Sequence, residues 1–354
     1  LTHFPLQSKA AKQIRIVMKT RFCIILIIFM LFITQVKAAS DLKVLVSIKP
    51  FHSLVSGIME GVSEPLLLIN GNNSPHSYAL RPSSAENLQQ ADLVFWGGDI
   101  LEGFLTKPLQ SLASRAKLVS LQETAGLRLL PLRSGLGWQK HETDSTNDHS
   151  AEDDSASTSG IDPHKHEPDS TNDHSAEDDS ASTSGTDPHI WLDPYNAKII
   201  SSKIVEILTA MDPQNAQSYR RNGEKYGHRL DLLDRKLKAE MTKVAETPYM
   251  VFHDAYQYFE KRYQLNVVGS VTLHIGHGSS VRRLMEVRKI IQKEKIHCIF
   301  SEPQFSPKLL QTVTSGTKVK KGILDPLGAE LEPGRELYFT LLNNLSRSLS
   351  RCLS

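Results

Sequence analysis

Short apolar runs alternate with amphipathic stretches along most of the chain. The runs Leu42 to Ile48, Pro65 to Ile69, Asp92 to Trp96 and Lys117 to Leu121 are rich in Val, Ile and Leu, and helical segments separate them. A second series, Tyr249 to Phe252, Asn266 to Val271, Cys298 to Glu302 and Lys320 to Asp325, repeats the arrangement. Short apolar strands that alternate with helices describe a parallel sheet with helices on its faces. Two such series of similar size predict an α/β protein of two similar lobes.

Between the series the spacing predicts one long helix, opened by Asp212 as N-cap and Pro213 at the first helical position. Tyr219, Tyr226, Leu230, Leu233, Leu237, Met241 and Val244 recur at steps of seven, four and three, so one apolar stripe runs toward Pro248. About 33 residues at 1.5 Å each make a rod of about 50 Å. A rod of that length spans both lobes and resists wide hinge motion. The alternative is an ordinary packed helix kinked at Gly223 or Gly227.

The first 38 residues are expected to be a leader that is removed. Met18, Lys19 and Arg21 form a basic segment, Cys23 to Ile33 an apolar one, and Val36-Lys37-Ala38 a site for cleavage after Ala38, as in a secretory signal peptide. The apolar run falls well short of the roughly 20 residues that a membrane span needs. Residues 1–17 begin with Leu and show no apolar periodicity, so Met18 is the expected start. The mature chain is expected in the periplasm, with a first lobe over residues 39–211, a linking helix over 212–247 and a second lobe over 248–354. Only Cys298 and Cys352 survive such processing. In an oxidising compartment that pair reads as one disulfide tying the last helix to a strand, with a thiolate metal pair as the alternative.

Net charge is divided unevenly along the chain. From His141 to Pro188 there are fourteen acidic residues against the single Lys165, whereas the body without this stretch and the leader holds 34 basic and 25 acidic residues. The basic residues are spread through helices with no aromatic interleaving, which argues against a nucleic-acid partner. The acidic stretch is a tandem duplication: His141 through His164 recurs as His166 through His189, changed only at Thr143 to Pro168 and Ile161 to Thr186. Nearly free of apolar residues, the insert over 141–187 is expected to be disordered. Its His141, His149, His164, His166 and His174 make it either a weak metal antenna or an unselected repeat expansion.

Four histidine or acid positions fall just past strand ends, where open α/β sheets place ligands. His76 lies in a turn-rich loop after the second run, His189 where the insert gives way to apolar sequence, His253 directly after Tyr249 to Phe252, and Asp325 at the end of the eighth run. Three neutral imidazoles suit Zn²⁺, which takes four ligands, and leave a fourth position for water or a carboxylate.

The motifs Ser74-Pro75-His76-Ser77-Tyr78-Ala79-Leu80-Arg81-Pro82-Ser83, Asp187-Pro188-His189-Ile190-Trp191-Leu192-Asp193-Pro194, His253-Asp254-Ala255-Tyr256-Gln257-Tyr258-Phe259, Ser301-Glu302-Pro303-Gln304-Phe305 and Leu324-Asp325-Pro326-Leu327-Gly328 resemble those of the zinc-uptake substrate-binding proteins of ABC importers. The resemblance covers Leu42 to Leu353. It implies Rossmann-like lobes joined by a long rigid helix, a monomer with Zn²⁺ in the cleft, and an importer's membrane permease as partner. It also implies that His76, His189 and His253 are the metal ligands and that Cys298 pairs with Cys352. Related manganese binders carry a carboxylate where His253 stands, so the imidazole favours zinc. Some zinc members have Glu just before the first ligand; here it is Pro75, which leaves Asp325 or water for the fourth position. His164 is a copy of His189 but lacks the Ile190-Trp191-Leu192-Asp193-Pro194 continuation, so the site is assigned to His189.

The remaining polar residues have lesser expected roles. His52 and Glu302 are candidates for groups behind the ligands, Arg81 for positioning the His76 loop, and His274 and His277 for a loop facing the cleft. His228 and His297 read as structural or solvated. Three rival functions stand beside transport of zinc: a periplasmic zinc buffer or chaperone, a manganese or iron importer component, and a zinc hydrolase. The last is weakened by ligands 113 and 64 residues apart and by the lack of an H-E-x-x-H motif.

Overall fold

In a computed structural model of the protein, residues 42–133, 185–272 and 281–354 are described. The expected leader, the insert as far as residue 184 with its five histidines, and the loop with His274 and His277 lie outside the described residues.

The first series folds as β1 (Val44–Val46), α1 (Lys49–Ile58), β2 (Leu66–Leu67), α2 (Pro82–Gln90), β3 (Leu93–Trp96), the short α3 (Asp99–Glu102), α4 (Thr106–Leu112) and β4 (Lys117–Ser120). All four strands are parallel, in the order β2-β1-β3-β4, with Leu45 opposite both Leu66 and Val94. β1 is buried over its whole length, as a strand must be when both faces of its sheet are covered.

Two helices follow: α5 (Pro194–Met211), capped by the Asp193 carboxylate on the Tyr195 amide at 2.8 Å, and α6 (Ala216–Met241). Val205 packs on Gly223 and Lys198 pairs with Asp231, so the two run antiparallel. The structure corrects the expected single rod. α6 has 26 residues, about 39 Å at 1.5 Å per residue, and Asp212 closes α5 and enters a 3₁₀ turn at Pro213–Asn215. There its carboxylate accepts from Tyr219 Oη at 2.7 Å and Asn215 Nδ2 at 2.9 Å. The stripe read on to Val244 because that residue stays buried in the turn after α6; periodicity does not register a turn whose apolar residue still faces the core. Neither glycine interrupts α6. A Cβ at Gly223 would stand 2.4 Å from Val205 Cγ2, so the glycine serves close helix packing.

The second series folds as β5 (Tyr249–His253), α7 (Gln257–Tyr263), β6 (Val267–Thr272), α8 (Val281–Lys293), β7 (Cys298–Ser301), α9 (Pro307–Thr314), β8 (Lys320–Ile323) and α10 (Leu337–Leu353). Its sheet, again all parallel, has the order β6-β5-β7-β8, the pattern of the first. Along β5 the side chains alternate. Tyr249 and Val251 join the main core with the helix pair, and Met250 and Phe252 join a smaller core with Val287, Ile291, Leu310 and Val313.

Residues Leu42–Ser354 group as one unit, and three fastenings across the lobes account for it. α10 packs on α1 and α6 as well as on β8, and Cys298–Cys352 ties it to β7 with Cα atoms 6.1 Å apart. Buried Tyr338 on α10 donates its backbone N–H to Ser53 Oγ (3.0 Å) and its hydroxyl to Trp191 O (2.7 Å). Lys49, at the start of α1, donates its ammonium to Gly328 O, Ala329 O and Leu331 O at 3.1, 2.7 and 2.9 Å. Among the described residues no helix is long and apolar enough to cross a membrane.

Candidate metal centre

In each sheet the chain leaves two neighbouring central strands in opposite directions, and a crevice opens beyond their carboxyl ends. In the second sheet those strands are β5 and β7. His253 is the last residue of β5, and Glu302 is the first residue after β7. In the first sheet the equivalent position beyond β1 and β3 is filled by Glu102, which is fully buried and accepts the Gly97 amide at 2.7 Å. Burial pushes the Glu102 carboxyl up to about 7, against the pull of Ser47 and the Gly97 and Gly98 amides.

The chain brings His76, His189 and His253 together from three separate segments. Their potential ligand atoms all lie within 4.8 Å of one another, and the ring centroids are 5.1 to 5.5 Å apart. His76 Nε2 is 3.2 Å from His189 Nε2. Two nitrogens held about 2.05 Å from a tetrahedral zinc are about 3.3 Å apart, so this pair already stands at the span of two zinc ligands. The recess they share is also lined by Trp191, Glu302, Gln304, Phe305 and Pro326.

Each ring is held by its own surroundings. Asp187 Oδ1 accepts both the His189 backbone N–H at 2.9 Å and Nδ1–H at 2.7 Å, which leaves Nε2 as the lone-pair nitrogen facing the recess. Asp187 is fixed in turn: its amide donates to Leu130 O, and its carbonyl accepts from Tyr258 Oη at 2.8 Å. The strand-like bridge Pro131–Thr186 closes this neck. Behind the neck, Arg133 pairs with Glu260 at 2.7 Å and Asp254 at 3.1 Å. Glu302 Oε1 lies 3.4 Å from His253 Nδ1. Burial disfavours the His253 imidazolium, but the Glu302, Asp254 and Asp187 carboxylates together outweigh it and the net shift is upward. Among the described residues no carboxylate pairs with His76; burial first, and then the other two rings, hold it well below the usual imidazole range. Two carboxylates one ring away can offset the two charges of a divalent ion without touching it.

Asp325 does not join the three histidines. Its Oδ1 accepts from the Leu327 and Gly328 amides, both at 3.0 Å, and from Gln304 Nε2 at 3.1 Å, and its Oδ2 accepts from Ala329 N at 2.6 Å. Its acceptor capacity is spent on shaping its own turn. His52 is turned into the first lobe, where its Nε2–H donates to Pro65 O at 3.0 Å, so it does not back any of the three converging histidines. Arg81 and His228 are exposed. The roles of Asp187 and Gln304 went unread in the sequence. The Asp-x-His spacing, in which a carboxylate reaches the amide two residues on, is a local signal for the first; nothing local marks the second.

Residues 44–352 match the family model described as zinc-uptake complex component A, periplasmic (ZnuA). The chain belongs to this family. It is 43% identical over 311 residues to the high-affinity zinc uptake system protein ZnuA of Brucella suis biovar 1 (strain 1330), covering 88% of this chain and 91% of that protein. It is 35% identical over 319 residues to the protein of the same name in Haemophilus ducreyi, covering 90% and 96%. Two solved structures share the fold. A crystal structure of ZnuA has a TM-score of 0.67 at 21% identity, covering 89% of this chain and 100% of that one. The Pseudomonas aeruginosa SBP FpvC in complex with Mn²⁺ has a TM-score of 0.68 at 20% identity, covering 89% and 99%.

Proposed function

We propose that this chain is the zinc-binding periplasmic component of an ABC importer. It captures one Zn²⁺ between its lobes on His76, His189 and His253 and delivers it to the membrane permease. The observation that carries this reading is the convergence of three imidazoles from three segments, with two nitrogens already at the zinc span of 3.2 Å. Membership of the zinc-uptake family supports the transport role.

Three imidazoles and no carboxylate in the ligand set favour zinc over manganese, which prefers carboxylate and water oxygens. The hydrolase reading loses its candidate bases: Asp325 is taken up by backbone amides, and Glu302 is set against His253. The Lys49, Tyr338 and Cys298–Cys352 fastenings hold the cleft near its binding geometry, so capture needs ring rotation and dehydration of the ion more than closure of the lobes. Release then requires a force that parts the non-covalent Lys49 and Tyr338 contacts while the disulfide stays intact, and docking on the permease would supply it.

The test is metal analysis and competitive titration of the mature chain with residues 141–186 deleted. One tightly held Zn²⁺ per chain that excess Mn²⁺ does not displace is the expected result. Absence of a tight site would overturn the reading and move metal binding to the insert.

A further inference from the structure

Resting on the three-histidine reading, we infer that Gln304 is the hydrogen-bond acceptor for a water molecule in the fourth coordination position. Asp325 serves the site by deciding which end of that amide faces the ion.

Three histidines supply three of four ligands, and no further His, Cys, Asp or Glu among the described residues joins them. Asp325 accepts from three backbone amides, so its carboxylate presents only acceptors to its neighbours. The Gln304 atom that meets it at 3.1 Å must therefore be the NH₂ group. An amide has one donor end and one acceptor end, so this bond sends the oxygen the other way. Gln304 lines the recess with the three rings, and its Oε1 is buried without a hydrogen-bond partner among the described residues.

A buried amide oxygen left without a donor carries its full desolvation cost uncompensated, so an orphan of this kind calls for an occupant. A water bound to a divalent ion has two hydrogens to donate and is a stronger donor than bulk water. Placed in the fourth position, it would satisfy both the ion and Gln304 Oε1. The pairing also fits the charge of the site. Asp187 and Glu302, behind His189 and His253, offset the two charges of the ion, and a neutral acceptor at 304 adds no third carboxylate. A water ligand is the easiest of the four to displace, so an incoming ligand could start transfer of the ion there.

The experiment uses the whole chain loaded with Co²⁺ as a spectroscopic probe, together with Gln304→Leu. The expected results are one Co²⁺ per chain and broadening of its electron paramagnetic resonance lines in ¹⁷O-enriched water. Zn²⁺ dissociation into a chelator should be about tenfold faster for Gln304→Leu at unchanged stoichiometry, in the range of outer-shell effects on metal affinity. No ¹⁷O broadening in the unaltered chain would overturn the inference, since the fourth ligand would not be water. So would an unchanged dissociation rate in Gln304→Leu. Metal uptake that survives His253→Ala would instead overturn the three-histidine reading itself, and this inference with it. The ¹⁷O measurement needs no variant, so it decides even if Gln304→Leu fails to fold.

Discussion

Asp187 Oδ1 lies 2.7 Å from Nδ1 of His189, two residues later in the chain, and accepts the same histidine's backbone N–H at 2.9 Å. One carboxylate oxygen thus sets the ring's position and its tautomer. Asp187→Asn can keep the backbone bond but offers a poorer acceptor to the ring. Zinc affinity is expected to fall about 10- to 100-fold. Competition against a chromophoric chelator measures it, and an affinity equal to that of the unaltered chain would show that the bond does not orient the ligand.

Removing a ligand should cost more than removing its support. His253→Ala is expected to lower zinc affinity by more than the roughly 100-fold ceiling of outer-shell effects. His164→Ala, in the duplicated copy of the His189 motif, should leave the tight site unchanged in the same titration. Equal losses in the two variants would refute the assignment to His189.

Glu102 gives a stability prediction with a definite sign. Its folded-state carboxyl is raised from 4.5 to about 7, mainly by burial, so folding binds its proton more tightly. The contribution is full below about pH 4.5 and is lost as pH rises through about 7. Glu102→Gln keeps an acceptor for the Gly97 amide and removes the titration. Its stability relative to the unaltered chain should improve by about 2 to 3 kcal/mol between pH 5 and pH 8. Urea unfolding at both pH values checks this, and a pH-independent difference would refute it.

Lys49 holds three carbonyls of the 328–331 turn from the other lobe. Lys49→Met keeps much of the stem and orphans those acceptors, at a cost of about 3 kcal/mol. Urea unfolding of the metal-free chain should show the loss. A change within about 0.5 kcal/mol, as for ordinary surface substitutions, would mean that water replaces the ammonium freely.

Much of this protein was legible in its residues. The strands and their parallel pairing followed from short apolar runs between amphipathic stretches; the central strands β1, β3, β5 and β7 are covered on both faces and have no polar side to alternate. The three histidines could be named because each sits just beyond an apolar run or at the edge of the insert, in motifs that match a family. The linking helix was read too long because Val244 continues its stripe in a turn, and its partner α5 was not read at all.

The sequence by itself thus determined the fold class, the strand set and the three histidines that come together, since each is written in the local pattern along the chain. Only the tertiary structure decided the rest. It set α10 across both lobes, turned His52 away from the cleft, and made Asp325 a buttress for its own turn and for Gln304. The physical reason is that an acceptor's role depends on which donors reach it first. For Asp325 those donors are three backbone amides, and their direction is set by the path of the folded loop.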